Sequence, residues 1–170
     1  DAATRRNLEL DQSLSGRSES TLVGVLDRTA TAMGGRELRR WIQRPLRPRA
    51  AREHRLQAIE AFLDTGLHAT VHALLQQVGD VERILARVAL RTARPRDLAG
   101  LRDALGTLPE LQRLLLGVDS PLLEQLVRES GAHPDVHALL VSAVVPTPPA
   151  LLRDGGVIAP GYDADLDELR

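Results

Sequence analysis

Apolar residues recur at intervals of three and four positions along most of this 170-residue chain. Leu56, Ile59, Phe62 and Leu63 form one such stripe, and the same spacing returns in several later segments. This period places apolar side chains on one face of an α-helix, whereas a half-buried strand needs strict alternation. Leu supplies 31 residues and Ala 21, and both are strong helix formers. The spacing therefore predicts a mainly α, bundle-like fold built from many helices.

Capping residues and helix breakers predict where several helices begin and end. Thr21 (or Ser20 before it), Asp80 and Ser120 each stand before an apolar stripe. Their side chains are suited to accept a hydrogen bond from a free N–H of the first helical turn. The leucine-rich stretch after Pro95 contains a glycine and a proline within residues 106–109. Because proline has no N–H and clashes with the preceding turn, this segment predicts a helix break.

The last 25 residues predict a different local structure. Pro146, Pro148 and Pro149 disfavour helix, so residues 146–149 should be extended. Residues 151–153 and 156–158 flank an Asp-Gly pair, a sequence that tolerates the positive φ angles of a type I′ turn. This pattern predicts a small β-hairpin near the C-terminus. Asp163 or Asp165 should then open a last short helix.

Composition excludes several kinds of catalytic and binding site. All 22 basic residues are Arg, and the chain has neither Lys nor Cys. A disulfide framework, a thiolate zinc site and a thiol nucleophile are therefore excluded. A Walker A phosphate loop and a Schiff-base lysine are excluded as well. The formal net charge of −1 argues against a protein that coats nucleic acid. No apolar run approaches the roughly 18 residues that a membrane span needs.

Charge is distributed unevenly along the chain. Residues 1–55 hold 12 arginines against 7 acidic residues, while residues 111–170 hold 4 against 9. Arg36, Arg40 and Arg44 fall on one helical row, and we assign Arg40 and Arg44 as candidate phosphate contacts. A solvated face, or pairing with acidic residues of a neighbouring domain, is the alternative for this row. Trp41 falls on the apolar stripe of the same helix, so we expect it in the core.

Two histidine pairs have the i, i+4 spacing of metal ligands on a helix: His68 with His72, and His133 with His137. Two ligands fall short of the three or four that a zinc site needs, and neither pair has the glutamate of the metalloprotease motif. We expect surface histidines. The sequence therefore assigns no catalytic, cofactor-binding or metal-binding residue.

Six segments carry a further pattern: AATRRNLEL at 2–10, TAMGGR at 31–36, DVERILAR at 80–87, ARPRDL at 93–98, LPEL at 108–111 and RDGGVI at 153–158. Together with Leu38, Trp41 and Pro45 they resemble the core domain of the bacterial MutS family of DNA mismatch-recognition ATPases. Their order and spacing over essentially all 170 residues make the resemblance specific.

The resemblance implies that residues 1–170 are the first segment of core domain III, excised from a longer protein and ending where the lever helix toward the clamp begins. Such a segment would transmit conformational change between the ATPase and the DNA-binding clamp without catalysis of its own. The density of family-like residues predicts a structural junction at Met33, Gly34, Arg36, Trp41, Asp80 and Arg83.

Partners and cofactors follow from the same resemblance. ATP and Mg²⁺ would belong to an ATPase domain outside this chain, and mismatched duplex DNA would be bound through the intact protein. The connector, clamp and ATPase domains would be direct neighbours in a cytoplasmic homodimer that works with MutL and has no membrane contact. We expect the isolated chain to self-associate through apolar surface left uncovered. The alternative function is a free-standing helical adaptor that binds DNA or protein.

Overall fold

Helix dominates the computed structural model, which describes residues 2–170. Two 3₁₀ turns, Ser18–Ser20 and Leu152–Asp154, accompany ten α-helices within this range. The helices are α1 Ala2–Asn7, α2 Leu22–Leu26, α3 Ala32–Gln43, α4 Arg49–Thr65, α5 Leu67–Leu75, α6 Val81–Ala89, α7 Pro95–Leu115, α8 Pro121–Glu129, α9 Pro134–Ala143 and α10 Ala164–Glu168. The mainly α fold predicted from apolar spacing is confirmed. Within the described range, no helix combines the length and apolar character needed to cross a membrane.

The predicted N-caps are confirmed at four helices. Thr21, Asp80, Ser120 and Asp163 each accept a hydrogen bond from the backbone N–H three residues later, over distances of 2.9, 3.3, 3.4 and 2.9 Å. These bonds satisfy N–H groups that have no partner inside the helix. Capping needs only the local sequence, which explains why it was predictable.

Contacts divide the chain into two compact units. The first consists of the residues up to Gln76 together with Gly117–Gln125, and the second of Gln77–Leu116 and Leu126–Arg170. Helices α2 to α5 lie in the first unit, and α6, α7, α9 and α10 lie in the second.

In the first unit, α2 packs closely on the 3₁₀ turn Ser18–Ser20. Thr21 and Val23 are each only 2% exposed, and the hydroxyl of Thr21 donates to the carbonyl of Ser18 at 2.7 Å. A Cβ on Gly24 would lie 2.2 Å from the carbonyl oxygen of Ser18, which is closer than any real contact. Glycine is therefore required at this position for the two segments to approach.

Helix α4 forms where its apolar stripe predicts, but most of that stripe is not covered. Ala58 is buried, and α4 packs against α5, where Val71 is buried. Leu56, Ile59 and Leu63, at i, i+3 and i+7, are 63%, 53% and 67% exposed. They form an exposed apolar stripe along α4.

The core of the second unit lies between α6, α7 and α9. Ile84, Leu101, Leu140 and Val144 form one buried cluster, each at most 8% exposed. Half-buried apolar side chains of the same helices surround it. The Cδ1 atom of Ile84 reaches the backbone of Gly100, where a Cβ would lie 3.5 Å away. This absence of a side chain lets α6 pack near the axis of α7.

Arg102 fastens α7 to the chain that follows α9. Its Nη1 atom donates to the carbonyls of Val144 and Val145 at 3.4 and 3.1 Å, and its Nη2 atom donates to that of Pro146 at 3.0 Å. The side chain is only 13% exposed, and Asp103 pairs with its Nε atom at 2.9 Å. One guanidinium thus satisfies three carbonyls at and beyond the end of α9, which have no intrahelical donor.

The predicted break within residues 106–109 is wrong, because α7 runs without interruption from Pro95 to Leu115 with Pro109 inside it. Gly106 does not end the helix, and its missing side chain lets α9 approach α7. A Cβ on Gly106 would lie 3.2 Å from the Nε2 atom of His137 on α9. A proline inside a helix costs about 3 kcal/mol. Packing of α7 against its neighbours offsets that cost.

The predicted β-hairpin at 151–158 is also wrong, since the described residues contain no β-strand there. Residues Leu152–Asp154 form a 3₁₀ turn, and Asp154 does not have the positive φ that a type I′ turn requires. Ile158 instead forms an isolated antiparallel bridge with Val144. The hydrogen bond from the N–H of Val145 to the carbonyl of Val157 is 3.0 Å long. Pairing with the end of α9 therefore replaces pairing with residues 151–153.

Candidate functional site

The loop before α3 folds tightly against the first turn of that helix. Thr31 accepts a hydrogen bond from the N–H of Gly34 at 2.9 Å. A Cβ on Gly34 would lie 3.2 Å from the side chains of both Thr29 and Thr31. Met33, beside it, is half-buried. The glycine therefore permits a close approach that a larger residue would have to displace.

Asp27 organises the same loop. Its Oδ1 atom accepts hydrogen bonds from the hydroxyl and the N–H of Thr29, at 2.7 and 3.1 Å. These bonds hold the pKa of Asp27 below its ordinary value, and the positive charges of Arg39 and Arg28 act in the same direction. A Cβ on Gly35 would lie 3.3 Å from the Asp27 carboxylate. Both glycines of the Gly-Gly pair are thus explained by this loop.

Trp41 lies at the surface in what we call the Trp41 cluster, formed by Glu37, Arg40, Trp41 and Arg55. Its Nε1 atom donates to Oε1 of Glu37 at 2.6 Å, and Oε2 of the same glutamate pairs with Nη1 of Arg40 at 2.9 Å. The guanidinium carbon of Arg55 stands 3.5 Å from the ring centroid. Trp41 is 37% exposed, so the expectation that it lies in the core is wrong. Its N–H and its ring face both find partners at the surface.

An arginine surface surrounds the turn between α3 and α4. We define it by the side chains of Arg40, Arg44, Arg47, Arg49, Arg52 and Arg55. Arg52 donates from Nη1 to the carbonyls of Leu46 and Arg47, at 3.1 and 2.7 Å, which fastens the turn to α4. Arg44 and Arg47 are exposed, and within residues 2–170 neither guanidinium has a carboxylate partner. Of the two predicted phosphate contacts, Arg40 belongs to the Trp41 cluster. Arg44 is the exposed C-cap residue of α3 and lies outside the helix, so the predicted helical row ends at Arg40.

The residues of the predicted junction are divided between the two units. Met33, Gly34, Arg36 and Trp41 lie on α3 in the first unit. Asp80 and Arg83 lie at the start of α6 in the second, where Oδ2 of Asp80 is 3.4 Å from Nε of Arg83. Each group has a defined place in its own unit. A shared role as a junction stays a prediction.

An ion pair that sequence reasoning missed joins α6 to α7. Arg87 donates to Asp97 from Nε and Nη2, at 2.8 and 2.6 Å, and the N–H of Arg94 donates to the same carboxylate at 2.8 Å. Burial raises the pKa of Asp97, but the hydrogen bonds from Arg87 and Arg94 outweigh it and bring that pKa below its ordinary value of 3.8. The sequence did contain an indication that Asp97 makes local hydrogen bonds, because it is an acidic residue in the first turn of a helix that begins with proline.

Asp97→Asn should lower the free energy of unfolding by about 1–2 kcal/mol at pH 7, because the bidentate pair with a partly exposed arginine is lost. Since the folded-state pKa is depressed, the carboxylate stabilises the fold above its unfolded pKa near 3.8, and this contribution is lost as the pH falls through the folded-state pKa. Urea unfolding at pH 7 and at pH 3 measures both effects. The variant should lose less stability on acidification than the wild type.

Asp64→Asn is the matched control, because Asp64 is exposed on α4. It should leave the stability at pH 7 and its acid dependence nearly unchanged. Equal effects of the two substitutions would show that the Arg87–Asp97 pair contributes nothing specific.

The histidine pairs do not form metal sites in the described residues. His72 and His68 contact backbone carbonyls through a ring nitrogen, at 2.9 Å to Arg28 and 3.2 Å to Phe62. His133 begins α9 in the left-handed region at φ 45°. Within residues 2–170 no three His, Cys, Asp or Glu side chains lie close enough together to hold a metal ion.

The family comparison covers nearly the whole chain. The model of the family described as MutS domain III matches residues 3–168. This match confirms the family predicted from the six sequence segments, and it identifies the core domain in particular. MutS proteins act in DNA mismatch repair. The helical chain with these two units therefore belongs to the MutS domain III family.

Proposed function

We propose that this chain is the non-catalytic core of a MutS protein and relays movement between an ATPase domain and a DNA-binding clamp. The observation that carries the proposal is the family match over residues 3–168. Residues 1–170 would then belong to the first segment of core domain III.

The packing inside the second unit supports a mechanical role. The core cluster between α6, α7 and α9 is reinforced at its edges by the Arg87–Asp97 pair and by Arg102. Packed interiors have low compressibility, so a displacement applied to one helix is passed to the next. A block of this kind can relay movement between two discrete arrangements of its neighbours.

The surface residues suggest where neighbouring domains attach. We assign Met33, Gly34, Arg36 and Trp41 on α3, and separately Asp80 and Arg83 at the start of α6, to a structural junction. Trp41 and Arg83 are its exposed members and would be the ones to meet the connector, clamp or ATPase domains. The exposed apolar stripe along α4 supports contact with further protein, because contiguous apolar surface rarely stays exposed. In the isolated chain the same stripe would favour self-association.

The remaining components of the proposal lie outside this chain. ATP and Mg²⁺ would bind the ATPase domain, mismatched duplex DNA would be held by the intact protein, and the protein would act as a cytoplasmic homodimer together with MutL.

The relay can be tested in the full-length MutS protein that contains this sequence. Asp97→Asn should leave ATP hydrolysis without DNA, and mismatch binding without ATP, within about twofold of the wild type. The ATP-triggered release from mismatched duplex should slow by up to about tenfold, since residues that couple two sites change the coupling by about 0.5–2 kcal/mol. Stopped-flow fluorescence with labelled duplex measures this step.

Asp64→Asn serves again as the control and should release DNA at the wild-type rate. If Asp97→Asn releases DNA at the wild-type rate although its unfolding free energy has fallen, the second unit is not part of the relay. Parallel losses of ATP hydrolysis and DNA binding would also contradict a pure relay role.

A further inference from the structure

The arginine surface carries a large local positive charge in a chain whose net charge is nearly zero. Residues 40–55 contain the six arginines of this surface and one glutamate, whereas the chain as a whole has a net charge of −1. Such a concentration produces a strong local potential that attracts anionic partners.

The contacts around these arginines leave most of the charge uncompensated. Arg52 is bonded to two carbonyls and Arg55 lies on the ring of Trp41, so neither is neutralised by these partners. Arg44 and Arg47 have no carboxylate partner among residues 2–170. Arg40 and Arg49, which are 61% and 83% exposed, form surface ion pairs with Glu37 and Glu53. Such pairs leave a guanidinium open to further hydrogen bonds.

The Trp41 cluster decides which anionic partner fits. Proteins that hold single-stranded nucleic acid use exposed aromatic rings on which bases stack. The indole N–H of Trp41 is engaged by Glu37, and Arg55 covers one face of its ring. Guanidinium groups are therefore the main binding groups of this surface, and these recognise phosphate oxygens with paired N–H donors.

The spacing of the arginines suits a run of phosphates. Arg40 lies in the last turn of α3, Arg44 is the C-cap residue of that helix, and Arg47 follows in the turn before α4. B-DNA presents one phosphate per roughly 3.4 Å of axis on each strand, so neighbouring arginines can reach different phosphates.

We propose that the arginine surface between α3 and α4 binds the sugar–phosphate backbone of duplex DNA without reading its sequence. The contact adds to the relay role and does not depend on it. The near-zero net charge of the chain does not exclude such a site, because the electrostatic potential at the arginine surface depends mainly on the charges close to it.

Fluorescence anisotropy of a labelled 30-base-pair duplex, titrated with the 170-residue chain at increasing NaCl, tests the proposal. The wild type should bind with an affinity that falls steeply with salt. Arg44→Gln combined with Arg47→Gln should weaken binding about tenfold at 0.1 M salt and reduce the slope of log K against log salt by about 2. Matched and mismatched duplexes should bind equally.

The control variant removes the same charge elsewhere, by combining Arg113→Gln with Arg153→Gln. Both residues are exposed and belong to the second unit. The control should bind within about twofold of the wild type, and circular dichroism should show equal thermal unfolding of all three proteins.

Three results would overturn the proposal. An equal loss in the control variant would mean that only the total charge matters. Tighter binding of single-stranded DNA than of duplex would indicate base stacking. Failure to bind duplex at low salt, together with binding of a poly-glutamate peptide, would assign the surface to an acidic protein segment.

Discussion

Ile84→Ala should lower the free energy of unfolding of the second unit by about 2–5 kcal/mol. Ile84 is 5% exposed and packs with Leu101, Leu140 and Val144, which come from α7 and from α9 and its end. Truncation to alanine removes three methyl or methylene groups and leaves a cavity between α6, α7 and α9. These helices can move only partly into the space, so most of the cavity remains. Urea unfolding followed by circular dichroism measures the loss, and amide exchange in α6 and α7 should accelerate in parallel.

Leu85→Ala is the matched control, because Leu85 follows Ile84 on the same helix and is 50% exposed. Its replacement by alanine removes a similar side-chain volume but leaves little cavity, because half of the side chain already faces solvent. The free energy of unfolding should therefore fall by less than about 1 kcal/mol. A control loss as large as that of Ile84→Ala would mean that the apolar cluster is not the centre of this unit.

Arg102→Met should lower the free energy of unfolding by about 2–4 kcal/mol. Methionine can fill the space along the side chain, but the carbonyls of Val144, Val145 and Pro146 lose the guanidinium donors. Val144 is only 3% exposed, and leaving a buried acceptor without a partner costs more than the net gain of forming the bond. Amide exchange at the Val144–Ile158 bridge should show the loss first, because this segment is the one that Arg102 holds.

Arg113→Met on the same helix provides the comparison. Arg113 is 67% exposed and its hydrogen bonds go to Glu110 at the surface. Its replacement should leave the unfolding midpoint unchanged, since exposed ion pairs contribute little. If Arg102→Met were equally neutral, the three carbonyl contacts would contribute nothing to the attachment of α9 to α7.

Local sequence predicted the helices and their starts well. Apolar spacing identified α4 and α6, and the caps at Asp80 and Ser120 are where we expected them. Both signals depend on residues within one or two helical turns, so they do not require knowledge of the fold. The MutS family was predictable for the same reason, because its segments are short and keep their order.

Local sequence failed wherever a distant residue decided the outcome. Pro109 and Gly106 indicated a break, but α7 is continuous, and the glycine lies against His137 of α9. Asp154 and its glycine neighbour indicated a hairpin, but the end of α9 is the partner that Ile158 pairs with. The contacting residues lie 31 positions apart in the first case and 14 in the second, beyond the reach of a local pattern.

For the candidate site, the sequence placed Arg40 on α3 correctly, but it extended the helical row to Arg44, which lies beyond the helix, and it gave Trp41 the wrong environment. The apolar stripe of α3 was correctly recognised as helical, yet none of its residues is fully buried. Whether an amphipathic face is covered depends on what packs against it, and that information lies outside the helix.

The sequence by itself determined the helical class, the caps and the family, because these follow from spacing and from short motifs. The tertiary structure alone decided that Arg102 holds the end of α9, that Asp97 joins α7 to Arg87, and that Arg55 covers one face of the Trp41 ring. The first set depends on neighbours in the chain. The second depends on the packing of separate helices, which brings together side chains that no local pattern connects.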